Sequence, residues 1–206
     1  VLSLYEQDGH YTIRVGSSDL MSTRRFASEQ ALARIGCSDI PSATPANVLI
    51  GGLGFGYTLR EVLALVGQKA RVTVAELIPK VVEWNANQAF PLAHEALKDS
   101  RVSVVQNDVF TVLQNNPATY DRILLDTDNG PAALSTESNG RLYTNAGLRV
   151  VKRALRPGGW VVVWSASEDP AFVRRLSQEG FEVEVCKARA HATSGSIHTL
   201  FLGRLK

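Results

Sequence analysis

Only two cysteines occur in 206 residues, Cys37 and Cys186. They lie far apart, with no Cys-x-x-Cys pair and no Cys/His cluster at metal-ligand spacing, so neither a disulfide framework nor a zinc site is expected and no metal is assigned. A reducing compartment, the cytoplasm, is the setting that fits. No apolar run is long enough to cross a bilayer and no charged-then-apolar leader opens the sequence, which speaks against a membrane association. The charge excess is only +2 and no segment interleaves basic with aromatic residues, so a nucleic acid is not an expected partner. Arg24-Arg25 and Arg174-Arg175 are isolated pairs, and the second reads as a solvated face. No internal repeat or low-complexity segment interrupts the chain.

Against this plain background one segment carries chemistry. Val48-Leu49-Ile50-Gly51 is a short apolar strand that runs into Gly52-Leu53-Gly54-Phe55-Gly56 and on into an amphipathic stretch from Thr58. Glycines at such a turn admit positive φ and bare backbone, and the unpaired N–H groups of the following helix present a positive end to polar ligand atoms. Gly52, Gly54 and Gly56 are therefore candidate nucleotide-binding residues. About 20 residues further on, the strand 71–75 ends at Glu76, an acid placed to accept hydrogen bonds from both hydroxyls of a ribose. A third strand, 102–106, leads to Asp108, which either meets the same nucleoside or caps the next helix. Two acids on successive strand ends suit a single nucleoside held by ribose and base, so an adenosyl sulfonium is favoured over NAD.

Strands and helices alternate around that turn: strand 48–51, helix 58–66, strand 71–75, helix 79–89 opened by Pro79, strand 102–106, strand 121–126, a strand from Trp160 to Trp164 entered through Pro157-Gly158-Gly159, and a helix over Phe172–Leu176. Two final strands, 181–186 and 197–202, joined by a loop with His191, Ser194 and Gly195, are predicted to pair antiparallel. The pattern predicts an α/β, doubly wound, mainly parallel Rossmann-like sheet. Before it, residues 2–6 and 11–15 flank Asp8-Gly9 and predict a β-hairpin. Residues 1–45 are thus assigned to an N-terminal hairpin, helix and linker, and residues 46–206 to the nucleotide-binding domain.

With the glycine loop, Glu76, Asp108, the strand Tyr120-Asp121 to Asp126, Thr58-Leu59-Arg60-Glu61-Val62 and Arg153-Ala154-Leu155-Arg156-Pro157-Gly158-Gly159 in view, the chain resembles the spermidine synthase family of the class I AdoMet-methyltransferase fold. The resemblance implies Glu76 on the ribose hydroxyls, Asp108 near the adenine amino group, Pro131 in a loop over the base, and a homodimer. It also exposes departures where that family holds its amine. The family's loop reads GGGDGG, and here Phe55 stands at the acid. The family's D-S-S-D-P becomes Asp126-Thr127-Asp128-Asn129-Gly130, which keeps the first acid and replaces the second by Asn129. Ser28 and Glu29 stand where the family has Tyr-His.

Asp126, at the exit of a central strand, is the expected base or orienting group, with Asp128 as the second acid of that loop. Phe55, Asn129, Glu29 and Tyr143 are the expected substrate-side residues, Tyr143 being equally well placed for the core. His191, His198, Trp84, Trp160 and Trp164 read as surface or core residues. The loss of amine-binding acids favours AdoMet over decarboxylated AdoMet as donor and methyl transfer to a small-molecule acceptor, with Arg24-Arg25 available to a carboxylate. Aminopropyl transfer to an amine, and a nucleoside-binding homologue without catalysis, are the alternatives.

Overall fold

The computed structural model describes residues 2–127, 131, 140–191 and 195–205. Its larger sheet has seven strands: β4 (Asn47–Gly51), β5 (Arg71–Ala75), β6 (Val102–Val105), β7 (Tyr120–Leu125), β8 (Leu155–Ser165), β9 (Phe181–Arg189) and β10 (Ile197–Leu205), in the order β6-β5-β4-β7-β8-β10-β9. The pairs from β6 through β8 are parallel, and β10 pairs antiparallel with both β8 and β9. The expected doubly wound α/β sheet with an antiparallel C-terminal pair is therefore present. Val48, Val72, Ile123, Val161, Val162 and Val163 are fully buried, as residues of a sheet covered on both faces should be.

Helices α1 (Ala27–Cys37), α2 (Tyr57–Leu65), α3 (Pro79–Ala86), α4 (His94–Leu97), α5 (Val109–Asn115), α6 (Asn145–Ala154) and α7 (Pro170–Gln178) supply the covering layers. α1 buries Leu32, Ala33 and Cys37 in the same apolar cluster as Val48, Leu59 and Leu124, so it belongs to the main core although it precedes Ala46. Gly36 allows that approach, since a Cβ there would meet Leu124 Cδ2 at 2.4 Å. No helix among the described residues is long and apolar enough to cross a membrane.

The expected hairpin is β1 (Leu2–Gln7) with β2 (His10–Val15), and a third strand, β3 (Ser18–Ser22), completes a small antiparallel sheet. β3 went unread because Ser-Asp-Leu-Met-Ser carries little β-propensity of its own. The Pro157-Gly158-Gly159 segment, expected as a turn, lies inside β8, where the pairing with β7 shifts register between Tyr120 and Arg122. Gly158 takes φ +74 there, so the glycine serves an irregular strand instead of a reversal. Tyr143, expected on a helix, closes the 3-10 turn Arg141–Tyr143 just before α6.

Candidate active site

The strand order reverses beside β4, with β5 on one flank and β7 on the other. Ligands of open α/β sheets bind at such a switch point, beyond the carboxyl ends of the strands. The glycine loop leaves β4 there, and Asp126 leaves β7 directly opposite it. The end of β4 is bonded on both flanks: the Asp126 N–H, past β7, donates to Gly51 O at 2.8 Å, and the Gly52 N–H donates to Ala75 O, at the end of β5, at 2.8 Å. Gly52, Gly54 and Gly56 all have positive φ, at 93°, 52° and 73°. A side chain at Gly52 would run into the Asp126 carbonyl at 2.3 Å, and one at Gly56 into Ala93 Cβ at 2.4 Å. Gly54 faces the small sheet, 3.4 Å from Met21 Sδ by the same construction.

Glu76 is 7% exposed. Its Oε2 accepts the Leu53 N–H and its Oε1 the Ile78 N–H, each at 2.8 Å. The acid thus fixes the glycine loop to the end of β5, a task in addition to the ribose contact expected of it. Leu77 and Ile78 follow with 54% and 36% of their surface exposed, an apolar ledge beside the acid of the sort that takes the face of a base. Asn85, unread in the sequence, donates to Gly54 O at 2.8 Å and to Val81 O at 2.9 Å, and so ties the loop to α3. Asp108 caps α5 by accepting the Phe110 N–H at 2.8 Å. It also pairs with Arg141, whose guanidinium lies over the Phe110 ring.

Across the cleft, Asp126 Oδ2 accepts the Thr58 hydroxyl at 2.7 Å, and Thr58 Oγ1 lies 3.4 Å from the backbone carbonyl of Glu29. Asp126 is half-buried where the chain leaves β7. Burial foremost, and then the nearby charge of Glu29, push the Asp126 carboxyl up to about 7, against the pull of the Thr58 hydroxyl. Glu29 is also raised by burial, opposed by the Ser28 hydroxyl, its own backbone N–H and Arg25. Both shifts arise first from desolvation, to which a neighbouring acid adds at Asp126. Beside them the rings of Phe26 and Tyr57 stack at 4.7 Å, with the Arg60 guanidinium 4.4 Å from the Tyr57 centroid. On the adjoining sheet face, Trp164 and His198 pack at 4.6 Å between ring centroids. The His198 imidazole is held below its ordinary range by burial and by Arg25.

The structure thus gathers Gly52, Gly54, Gly56, Glu76, Asp126 and Glu29 around one switch point. Phe55 differs from its expected place. It is 4% exposed and part of the apolar core, so the ring that replaces an acid packs under the loop instead of lining the cleft. Tyr143 is buried too, and its hydroxyl lies 2.8 Å from Thr127 Oγ1, where it supports the residue after Asp126. Pro131 is half-buried. Asp128 and Asn129 lie outside the described residues. Arg24 and Arg25 line a cavity of about 600 Å³ with His10, Arg14 and His191 beside the small sheet. Thr58 was missed by sequence reasoning, although its place in the first turn after the glycine loop was the available signal.

A family model described as a spermine/spermidine synthase domain matches residues 25–188. A polyamine aminopropyltransferase from Oceanobacillus iheyensis is 37% identical over 135 residues, which is 65% of this chain and 25% of that protein. Polyamine aminopropyltransferase 2 of Pseudomonas aeruginosa is 34% identical over 123 residues, 58% of this chain and 33% of its own. The chain therefore spans between a quarter and a third of these curated relatives. In fold it is similar to the crystal structure of spermidine synthase from Thermotoga maritima, with a TM-score of 0.77 at 20% identity over 100% of this chain and 69% of that one.

Proposed function

The chain belongs to the spermine/spermidine synthase family, and on that premise we propose that it transfers an aminopropyl group from decarboxylated AdoMet to a primary amine. The observation that carries this reading is the desolvated Asp126 carboxyl at the exit of β7, next to a second acid and opposite the glycine loop. The preference for AdoMet and methyl transfer, drawn from Phe55 and Arg24-Arg25, finds no support among the relatives, which are named as aminopropyltransferases.

In this reading Glu76 takes the ribose hydroxyls and Leu77 with Ile78 offers the base an apolar surface. The amine nitrogen attacks the methylene carbon next to the sulfonium sulfur. The carbon–sulfur bond breaks with its electron pair going to sulfur, which leaves a neutral thioether, 5′-methylthioadenosine. The attacking nitrogen sheds a proton. Asp126 is the base that receives it, and a carboxyl near neutrality is suited to both halves of that exchange. The sulfonium supplies its own leaving group, so alignment and desolvation are the protein's remaining tasks. The homodimer implied by the resemblance is part of the same proposal, and a monomer in sedimentation at micromolar concentration would remove it.

Incubation with decarboxylated AdoMet and 1,4-diaminobutane is expected to yield 5′-methylthioadenosine and the aminopropylated diamine by mass spectrometry. Methylated product from AdoMet alone would reverse the assignment, and nucleoside binding with no product from either donor would leave a binding protein. Glu76→Ala should weaken binding of 5′-methylthioadenosine by about tenfold to a hundredfold, the loss of charged hydrogen bonds worth roughly 1.5–3 kcal/mol. Because Leu53 and Ile78 lose their acceptor as well, the thermal midpoint should also fall. Calorimetry with an unchanged affinity would take Glu76 out of the site.

A further inference from the structure

We propose that Glu29 is the carboxylate that holds the acceptor amine, supplying from α1 the negative charge that the glycine loop of this chain does not carry. The assignment rests on the aminopropyl-transfer reading. A cationic amine entering a poorly solvated cleft needs matched acids. At the loop position that could provide one, Phe55 is turned into the core, while Glu29 stands half-buried in the first turn of α1, which packs on α2 after the glycine loop. Thr58 ties the backbone of α1 to the acid of β7, its hydroxyl 2.7 Å from Asp126 Oδ2 and 3.4 Å from the backbone carbonyl oxygen of Glu29.

The groups around Glu29 come from every element packed there. Ser28, from α1 itself, donates its hydroxyl to Glu29 Oε2 at 2.8 Å. Arg25 precedes α1 and favours the charged form of Glu29 from an exposed position. Tyr57, from α2, feels the charge of Glu29, and Arg60 sits over the Tyr57 ring. Asp126, from the end of β7, feels it too. Two acids that share a poorly solvated cleft do not both ionise readily without a counter-ion. A primary ammonium has three donors and one charge, enough to bridge both carboxyl groups and to let both ionise. Amine binding near neutral pH therefore drives a proton off the pair and into the buffer. A helix-terminal acid with a purely structural role would show no such release.

The experiment loads the full chain with 5′-methylthioadenosine and titrates 1,4-diaminobutane by calorimetry in two buffers of different ionisation enthalpy, for the unaltered protein, Glu29→Gln and Glu29→Asp. The unaltered protein is expected to bind the diamine with proton release. Glu29→Gln should bind it about tenfold or more weakly and without that release, while keeping its nucleoside affinity. Glu29→Asp, one methylene shorter, should fall between the two. Equal diamine affinity in the Gln variant overturns the role of Glu29 and leaves aminopropyl transfer standing. Should the Gln variant no longer take nucleoside, the Asp variant decides, and undiminished diamine binding there overturns the assignment. A nucleoside-loaded unaltered protein that ignores the diamine overturns the aminopropyl-transfer reading itself.

Discussion

Asp126→Asn is expected to lower kcat for aminopropyl transfer by about 10²–10⁴-fold, the usual worth of a positioned proton acceptor, with nucleoside binding unchanged. The amide keeps the shape and can still meet the Thr58 hydroxyl, so a loss in kcat reads the missing base and not a collapsed site. In the unaltered protein kcat/KM should climb with pH through about 7 as the carboxyl ionises. The same group fixes a slope in stability. Its raised pKa means that the folded chain holds more protons than the unfolded chain between roughly pH 4 and pH 7. Stability from this group is therefore complete below that window, is lost as pH rises through it, and is level above it. Glu29, shifted in the same direction, adds to the slope. Asp99, held down to about 2 by the Arg101 guanidinium and backbone N–H, acts below the window and with the opposite sign. Chemical denaturation across pH 4 to 8 should show the decline in the unaltered protein and a shallower one in the Asn variant. Full activity in that variant would remove Asp126 from the chemistry.

Gly52→Ala should abolish nucleoside binding and cost about 2–3 kcal/mol of stability. Two penalties coincide at this residue. Its φ of +93° is one that L side chains rarely adopt, and the new Cβ would sit 2.3 Å from the backbone carbonyl of Asp126. Neither side can yield cheaply, because both belong to the bonded ends of β4 and β7. For a chain of this size the loss lowers the thermal midpoint by roughly 4–12 °C. Gly158→Ala separates the two effects: φ is again positive, at +74°, but nothing lies within 4 Å of the added atom. That variant should lose only the conformational part, about 1–2 kcal/mol, and keep its nucleoside. Comparable losses in both would mean that the approach to Asp126 is not what makes Gly52 necessary.

The sheet and the nucleotide loop were legible because each is written in consecutive residues. Apolar runs end in Glu76 and in Asp126, and glycines follow β4 at once. What escaped notice is instructive in the same terms. α5 carries Val109, Thr111 and Val112, β-branched residues that do not advertise a helix, and its clearest signal was the Asp108 cap. α4 is a single turn. Asp108 was read both ways, and its carboxyl turned out to cap α5 and to pair with Arg141. Glu29 and Asp126 were each expected at the site, and what escaped the sequence was their link through Thr58. Glu29, Thr58 and Asp126 lie on three elements separated by long stretches of chain, and only the close packing of α1 on α2 and the sheet brings them together. Local spacing holds no trace of that juxtaposition.

The bond from the Asp126 N–H to the Gly51 carbonyl, which seams the two sides of the switch point, also sets a timetable. β4 finds β5 soon after both are synthesised, but its other neighbour, β7, arrives only after a further strand, β6, and the helices α3, α4 and α5. Such non-local closure is slow because loop entropy is spent before the contacts reward it. The glycine loop therefore acquires its opposing wall late in folding, and a nascent chain that ends before Asp126 has no complete cleft. For the same reason a nucleoside held as proposed, across the ends of β4, β5 and β7, is expected to report on the whole sheet, binding only the closed form and opposing global unfolding by mass action.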